Sequence, residues 1–149
     1  MIPDTIARAF RSACLDFSDW LWPDAALDRL ERERHFLKLK LRRGYDTLIR
    51  QRNAIQSVTT WIAQKEKHSA ALTLQVETYL GVENRIKAYH HALELDQLRH
   101  CLERERGRLS QMQQAYHDQV VGIAQLERRL DALTAQHYRC GFSLPPQTD

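Results

Sequence analysis

Of the 149 residues, 22 are basic and 19 acidic, giving a net charge of +3, and 43% are hydrophobic. This length fits one domain rather than two full enzyme domains. Five glycines and four prolines are too few for a turn-rich β-sandwich or barrel, and residues 24–144 contain no proline.

In residues 1–22, Ile6, Phe10, Cys14, Phe17 and Leu21 recur in steps of three and four, with Ala13 and Trp20 beside them. Asp4, Arg8, Arg11, Ser12 and Asp19 lie largely off that stripe, so the spacing predicts a short amphipathic helix. Charged residues interrupt any apolar core and no basic leader precedes one, unlike a signal peptide. Two destinations suit such a helix. One is a membrane interface, with Ile6, Phe10, Phe17, Trp20, Leu21 and Trp22 entering at headgroup depth. The other is the rest of the chain or a neighbouring subunit. Trp22-Pro23-Asp24 should break the helix and start the next one.

From Leu27 the apolar residues keep a sevenfold pattern. One row is Leu27, Arg34, Leu41, Leu48, Ile55, Ile62, Ser69 and Val76, and its companion is Leu30, Leu37, Gly44, Gln51, Val58, Lys65, Leu72 and Tyr79. Such a seam over many heptads is the mark of a coiled coil. It stops at Leu80-Gly81-Val82-Glu83-Asn84, where Gly81 suits a left-handed helix end and Asn84 suits a cap on the next helix.

A second seam follows. Ala88, Leu95, Leu102, Leu109, Tyr116, Ile123, Leu130 and His137 form one row, and His91, Leu98, Glu105, Met112, Gln119, Leu126 and Leu133 the other. The expected fold is all-α: a long antiparallel coiled-coil helical hairpin over 24–139, preceded by the amphipathic helix. Its arms span about 24–80 and 84–138 around a turn at 81–83, and an extended tail follows over 140–149. A turn near residue 82 pairs residues whose numbers sum to about 164. Ile62 then faces Leu102, Ile55 Leu109, Leu48 Tyr116, Leu41 Ile123 and Leu37 Leu126. Gly44 and Gly122 fall at nearly one level, marking a soft point or a close approach of the helices.

Two helices bury one stripe each, so stability should draw on further packing or self-association. Phe36, Leu39, Ile49, Trp61, Leu74, Leu93, Val120 and Val121 lie off the seam, where a partner helix would cover them or where they simply widen the stripe. A homo-oligomer is therefore expected, its number unset because the seams mix residue types.

Little in the sequence points to catalysis. No phosphate loop, dinucleotide fingerprint, nucleophile elbow or zinc-protease motif is present, and the glycines are isolated. Neither a catalytic residue nor a cofactor is assigned. His137 with Cys140, and His90-His91 with Glu94, have helical ligand spacing, but neither set supplies four ligands, so no metal site is assigned. Cys14, Cys101 and Cys140 are odd in number and widely spaced, which suits a reducing compartment rather than a disulfide framework.

Residues 28–52 carry nine basic and four acidic side chains. Lys38, Lys40, Arg42 and Arg43, with Arg50 and Arg52 beyond them, are either a solvated face or a contact for an anionic surface. A nucleic-acid tether is the lesser use of that stretch, and sequence-specific reading is not expected without a recognition helix or stacking platform.

The layout resembles the phage shock protein A family, which includes the vesicle-inducing protein of plastids and shares the ESCRT-III-type helical hairpin. Gly81-Val82-Glu83-Asn84, then Ala88 and Ala92-Leu93-Glu94, is similar to that family's Gly-x-Glu-Asp turn and alanine-rich continuation. Arg85 and Ile86 stand where the family has small apolar residues, Met1-Ile2-Pro3 departs from its usual start, and the chain stops before its later helices. The resemblance implies a short member: a non-catalytic stress-response scaffold, cytoplasmic and peripheral on the inner face of the membrane. The competing expectation is a soluble coiled-coil adaptor or stalk. In outline it is similar to the export-gate stalk proteins of flagella and type III secretion, and it would bind a protein such as an ATPase through flanks like Trp61.

Overall fold

The computed structural model describes residues 23–142, with side chains for 25–140. Two helices account for nearly all of it: α1, Pro23–Gly81, and α2, Arg85–Phe142. Among the described residues there is no strand. The expected helix over 1–22 lies outside the described residues. Proline begins α1, a position where its missing N–H costs nothing. The extended tail expected from Cys140 is corrected in part, because α2 continues through Phe142.

The helices pack together within two compact units, one of Met1–Gly44 with Ile123–Asp149 (unit 1), the other Tyr45–Gly122 (unit 2). In α1 the division falls after Gly44 and in α2 after Gly122. A Cβ on Gly122 would meet nothing within 4 Å, so Gly122 does not serve close helix approach.

Unit 2 is a helical hairpin. Ile62, Leu72, Ala88, Leu95 and Leu102 are its buried core, and Leu72 retains only 2% of its exposure. Half-buried Leu48, Ile55, Val58, Val76, Leu98, Leu109, Met112 and Tyr116 continue the stripe. Arg106 Nη2 donates to Glu66 Oε1 at 2.5 Å, and His68 Nε2 lies 3.5 Å from Glu94 Oε1, so the contacts step down α1 as they step up α2.

The turn resolves differently from the sequence expectation. Gly81 closes α1 without a positive φ, and Glu83 takes the left-handed conformation instead, with φ 56°. Asn84 N–H donates to Tyr79 O at 2.9 Å and Glu83 N–H to Leu80 O at 3.1 Å, the paired bonds of a Schellman ending with Glu83 where glycine is usual. Asn84 then caps α2, its Oδ1 accepting from Lys87 N–H at 3.2 Å.

In unit 1 the described segments, residues 23–44 of α1 and 123–142 of α2, bury Leu37, Leu41 and Ile123. Leu27, Leu30, Leu126, Leu130 and Leu133 are half-buried around them. Arg129 Nη2 donates to Glu33 Oε1 at 2.5 Å, and His137 Nε2 lies 3.4 Å from Glu31 Oε1.

Candidate interaction surface

Both seams occupy the inward faces: every residue of the four heptad rows is buried or half-buried. Of the hairpin residues singled out, Leu41 and Ile123 are buried in unit 1, and Ile62 and Leu102 are buried in unit 2. Leu48, Ile55, Leu109 and Tyr116 are half-buried in unit 2. Polar seam members interrupt the stripe. Arg34 Nε, Gln51 Oε1 and His91 Nδ1 are buried without a hydrogen-bond partner, although Glu94 Oε2 stands 3.9 Å from His91 Nδ1. Each orphan weakens the pairing it interrupts, since a desolvated polar atom has lost water and gained no partner.

Several large apolar side chains remain outward. Phe36, Leu39, Tyr45, Ile49, Leu74, Leu93, Val120 and Val121 are exposed. Close to the turn, Val82, Ile86, Tyr89 and Leu93 follow steps of four, three and four and all stay exposed, Ile86 at 74%. This stripe gives the start of α2 two apolar faces, one covered by α1 and one bare. Sequence reasoning singled out Leu93 alone, yet the spacing that marks the stripe was there to be counted.

The four basic residues proposed for an anionic surface, Lys38, Lys40, Arg42 and Arg43, are all exposed on α1 within unit 1. They do not form one patch. At 100° per residue, Lys38 and Arg42 share one flank while Lys40 and Arg43 lie toward the other. Lys40 Nζ sits 4.8 Å from the centroid of the Phe36 ring, a cation–π contact. Phe36 and Leu39 themselves wall an open, mainly apolar groove of about 360 Å³ with Asp28, Glu31, Arg32 and His35. Ile6, Phe10, Phe17, Trp20, Leu21 and Trp22, expected at a membrane interface, lie outside the described residues.

Trp61 is half-buried in unit 2, with Lys65 Nζ 5.7 Å from its ring centroid. Residues 53–64 around it carry no charge. Ser57, Thr59 and Thr60 turn their hydroxyls back onto the carbonyls of Asn53, Ile55 and Gln56, so this neutral surface has its hydroxyl donors already used. A hollow of about 420 Å³ lies beside Trp61, bounded by Ser57, Val58, Glu105 and Arg108.

Near the turn, Tyr79 and His91 stack with centroids 5.3 Å apart and planes within 5°, and Lys87 Nζ lies over the Tyr79 ring, 5.4 Å from its centroid. Glu94 stands between His68 of α1 and His91 of α2. The pKa of His100 is raised, first by the hydrogen bond between Nδ1 and Asp96 O and then by the Asp96 carboxylate. Among the described residues no group of three His, Cys, Asp or Glu has the arrangement of a metal site. Likewise among them, no helix is long and apolar enough to cross a membrane.

Taken together, these features describe paired helices that carry large apolar side chains on their outward faces. Comparison with family models, with curated proteins and with solved structures yields no match to this chain.

Proposed function

We propose that this chain is a non-catalytic scaffold of the phage-shock type: an antiparallel coiled-coil hairpin that stacks with copies of itself and meets a membrane through residues 1–22. The observation that carries the reading is the number of large apolar side chains left outward once the seam has closed, Phe36, Leu39, Ile49 and Leu74 on α1 and Ile86, Tyr89, Val120 and Val121 on α2. Two-helix pairs bury a thin stripe, so covering a second row by lateral association adds the apolar burial that one copy lacks. The basic excess of residues 28–52 would add attraction to an anionic leaflet of about 1 kcal/mol per cation close to the surface.

Vesicle cosedimentation combined with negative-stain imaging tests this. The full chain should sediment with anionic vesicles and form rods, rings or tubes, and Phe10→Asp with Phe17→Asp should abolish sedimentation. Unchanged vesicle binding in that double variant would remove residues 1–22 from the role.

A soluble adaptor or stalk is the second reading, favoured by the neutral surface around Trp61. There a protein partner such as an ATPase would cover Trp61, and residues 1–22 would pack on protein. Indifference to lipid together with a discrete oligomer supports it.

A further inference from the structure

Large apolar side chains gather at the turn end of unit 2. Ile86 at 74% and Val82 at 67% are the two most exposed of them among the described residues, and Tyr89, Leu93 and Leu80 are exposed beside them in sequence. We propose that this end is a contact between two copies of the chain. The start of α2 lies antiparallel against the start of α2 in a second copy, across a two-fold axis, so that the two copies of unit 2 join end to end.

Three observations select that occupant. The first is spacing. Ile86, Tyr89 and Leu93 form one face of α2, and Val82 precedes them in the turn. Ala88, His91 and Leu95 at the same level are buried or half-buried in the seam, so α1 does not block the stripe. Steps of four, three and four read the same from either end. An antiparallel copy with residue numbers summing to 175 therefore sets Ile86 against Tyr89 of the second copy and Val82 against its Leu93. Symmetry repeats both pairs, as an isologous contact requires, and apolar meets apolar at all four levels. The stripe ends there, because Asp96, Gln97 and His100, next along that face, are polar and exposed. The overlap is roughly 18 Å long at the rise of an α-helix, beyond which the two copies of unit 2 run in opposite directions.

The second is charge. Two identical faces meeting at an axis set like against like, so a net charge there is unfavourable. The nearby charges are turned toward α1. Lys87 Nζ lies 5.4 Å from the Tyr79 ring centroid, and the Glu94 carboxylate lies 3.5 Å from His68 Nε2 and 3.9 Å from His91 Nδ1. Glu83 and Arg85, one of each sign, are left at the start of the stripe. A neutral face suits a copy of itself better than an anionic bilayer, which is drawn by an excess of cations.

The third is area. Four side chains from each copy fall short of the roughly 800 Å² per partner of a stable interface, so the pair is weak and exchanges. This contact needs neither the lateral stacking nor the membrane role of residues 1–22 put forward above.

The register provides the test. In the full chain with Cys14→Ser, Cys101→Ser and Cys140→Ser, Val82→Cys and Leu93→Cys are made as separate proteins. Each alone and the two mixed are treated with a short bis-maleimide at a chain concentration on the order of 100 μM, where a small interface associates. The mixture should give a two-chain band roughly fivefold stronger than either protein alone, because positions 82 and 93 of opposing copies adjoin while two identical positions lie about 16 Å apart along the helix. Equal bands, or none, overturn the proposal. Ile86→Asp with Tyr89→Asp, added to both proteins, should abolish the mixed band. Helicity by circular dichroism should stay unchanged, since both positions are exposed and an acid in the first turn suits the helix dipole. A band that persists overturns the contact. Phe36→Asp with Ile49→Asp, elsewhere on α1, should leave the mixed band intact even where it prevents lateral stacking, and its loss there would overturn the assignment to this end. Vesicle binding that depends on Ile86 and Tyr89, with no mixed band, would make lipid the occupant and remove the second copy.

Discussion

Unit 2 and unit 1 use the same heptad geometry, yet they depend on the chain in different ways. Unit 2 is one continuous stretch closed by its own turn, so its first pairings, near Tyr79 and His91, join residues close in sequence. Unit 1 brings together segments from the two ends of the described chain, and its Glu33–Arg129 pair spans 96 residues. Loop-closure entropy grows with the length closed, so unit 1 gains its contacts cheaply only after unit 2 has formed. The units differ in charge as well. Unit 2 is nearly balanced, at ten basic and nine acidic residues, while the described part of unit 1 is basic.

Core truncation should break this comparison most sharply. Leu102→Ala removes a buried side chain from unit 2 and should cost about 2–4 kcal/mol in denaturant unfolding. Hydrogen exchange should then show protection lost in both units, because unit 1's segments are linked only through unit 2. Leu41→Ala should cost a comparable amount but lower protection in unit 1 alone. Equal loss in both units from Leu41→Ala would mean that the whole molecule unfolds as one cooperative body.

The turn comes next in size. Asn84→Ala removes the cap that accepts from Lys87 N–H and should cost about 1 kcal/mol. Glu83→Gly should go the other way, gaining up to about 1 kcal/mol, since glycine enters the left-handed region without a Cβ penalty. Thermal unfolding followed by circular dichroism measures both.

Where the two units meet in sequence, Gly122→Ala should stabilise by about 0.5–1 kcal/mol, because a methyl there meets open space and alanine is the better helix former. A loss instead would show that softness at this position matters to the native state.

The smallest effect concerns pH. The pKa of His100 is raised above its ordinary 6.5 by Asp96, so protonated His100 favours the folded state. That contribution is present in full below about pH 6.5 and fades as pH rises through the higher folded value. His100 is fully exposed, so the change is small. His100→Asn should flatten the pH dependence of unit 2 stability on the alkaline side of 6.5 while leaving unit 1 unchanged. An NMR titration of the His100 ring checks the direction independently.

Much of the fold was legible because a helix pair writes its interior as a period. Leu37, Leu41, Ile62, Leu72, Leu95, Leu102 and Ile123 could be marked for burial by counting sevens, and all are buried. The turn was legible as a place and not as a geometry. Propensity assigned the left-handed position to Gly81, but the last turn of α1 extends through Gly81 and that position falls to Glu83, where the ending makes its paired hydrogen bonds. The outward residues were harder. Phe36, Leu39 and Ile49 share no period with the seam, and whether an off-seam side chain stays bare depends on how wide a stripe the other helix covers, which neither helix encodes alone.

The sequence by itself determined that the chain is helical, where it turns and which faces point inward, since these follow from local propensity and from a periodicity that survives any tertiary detail. Only the tertiary structure decided which apolar side chains remain exposed, which seam polar atoms go unpartnered and which acidic groups meet Arg106, Arg129 and His68 across the pairing. Each of these is a property of two surfaces brought together, and its distances and solvent exposure exist only once the second surface is in place.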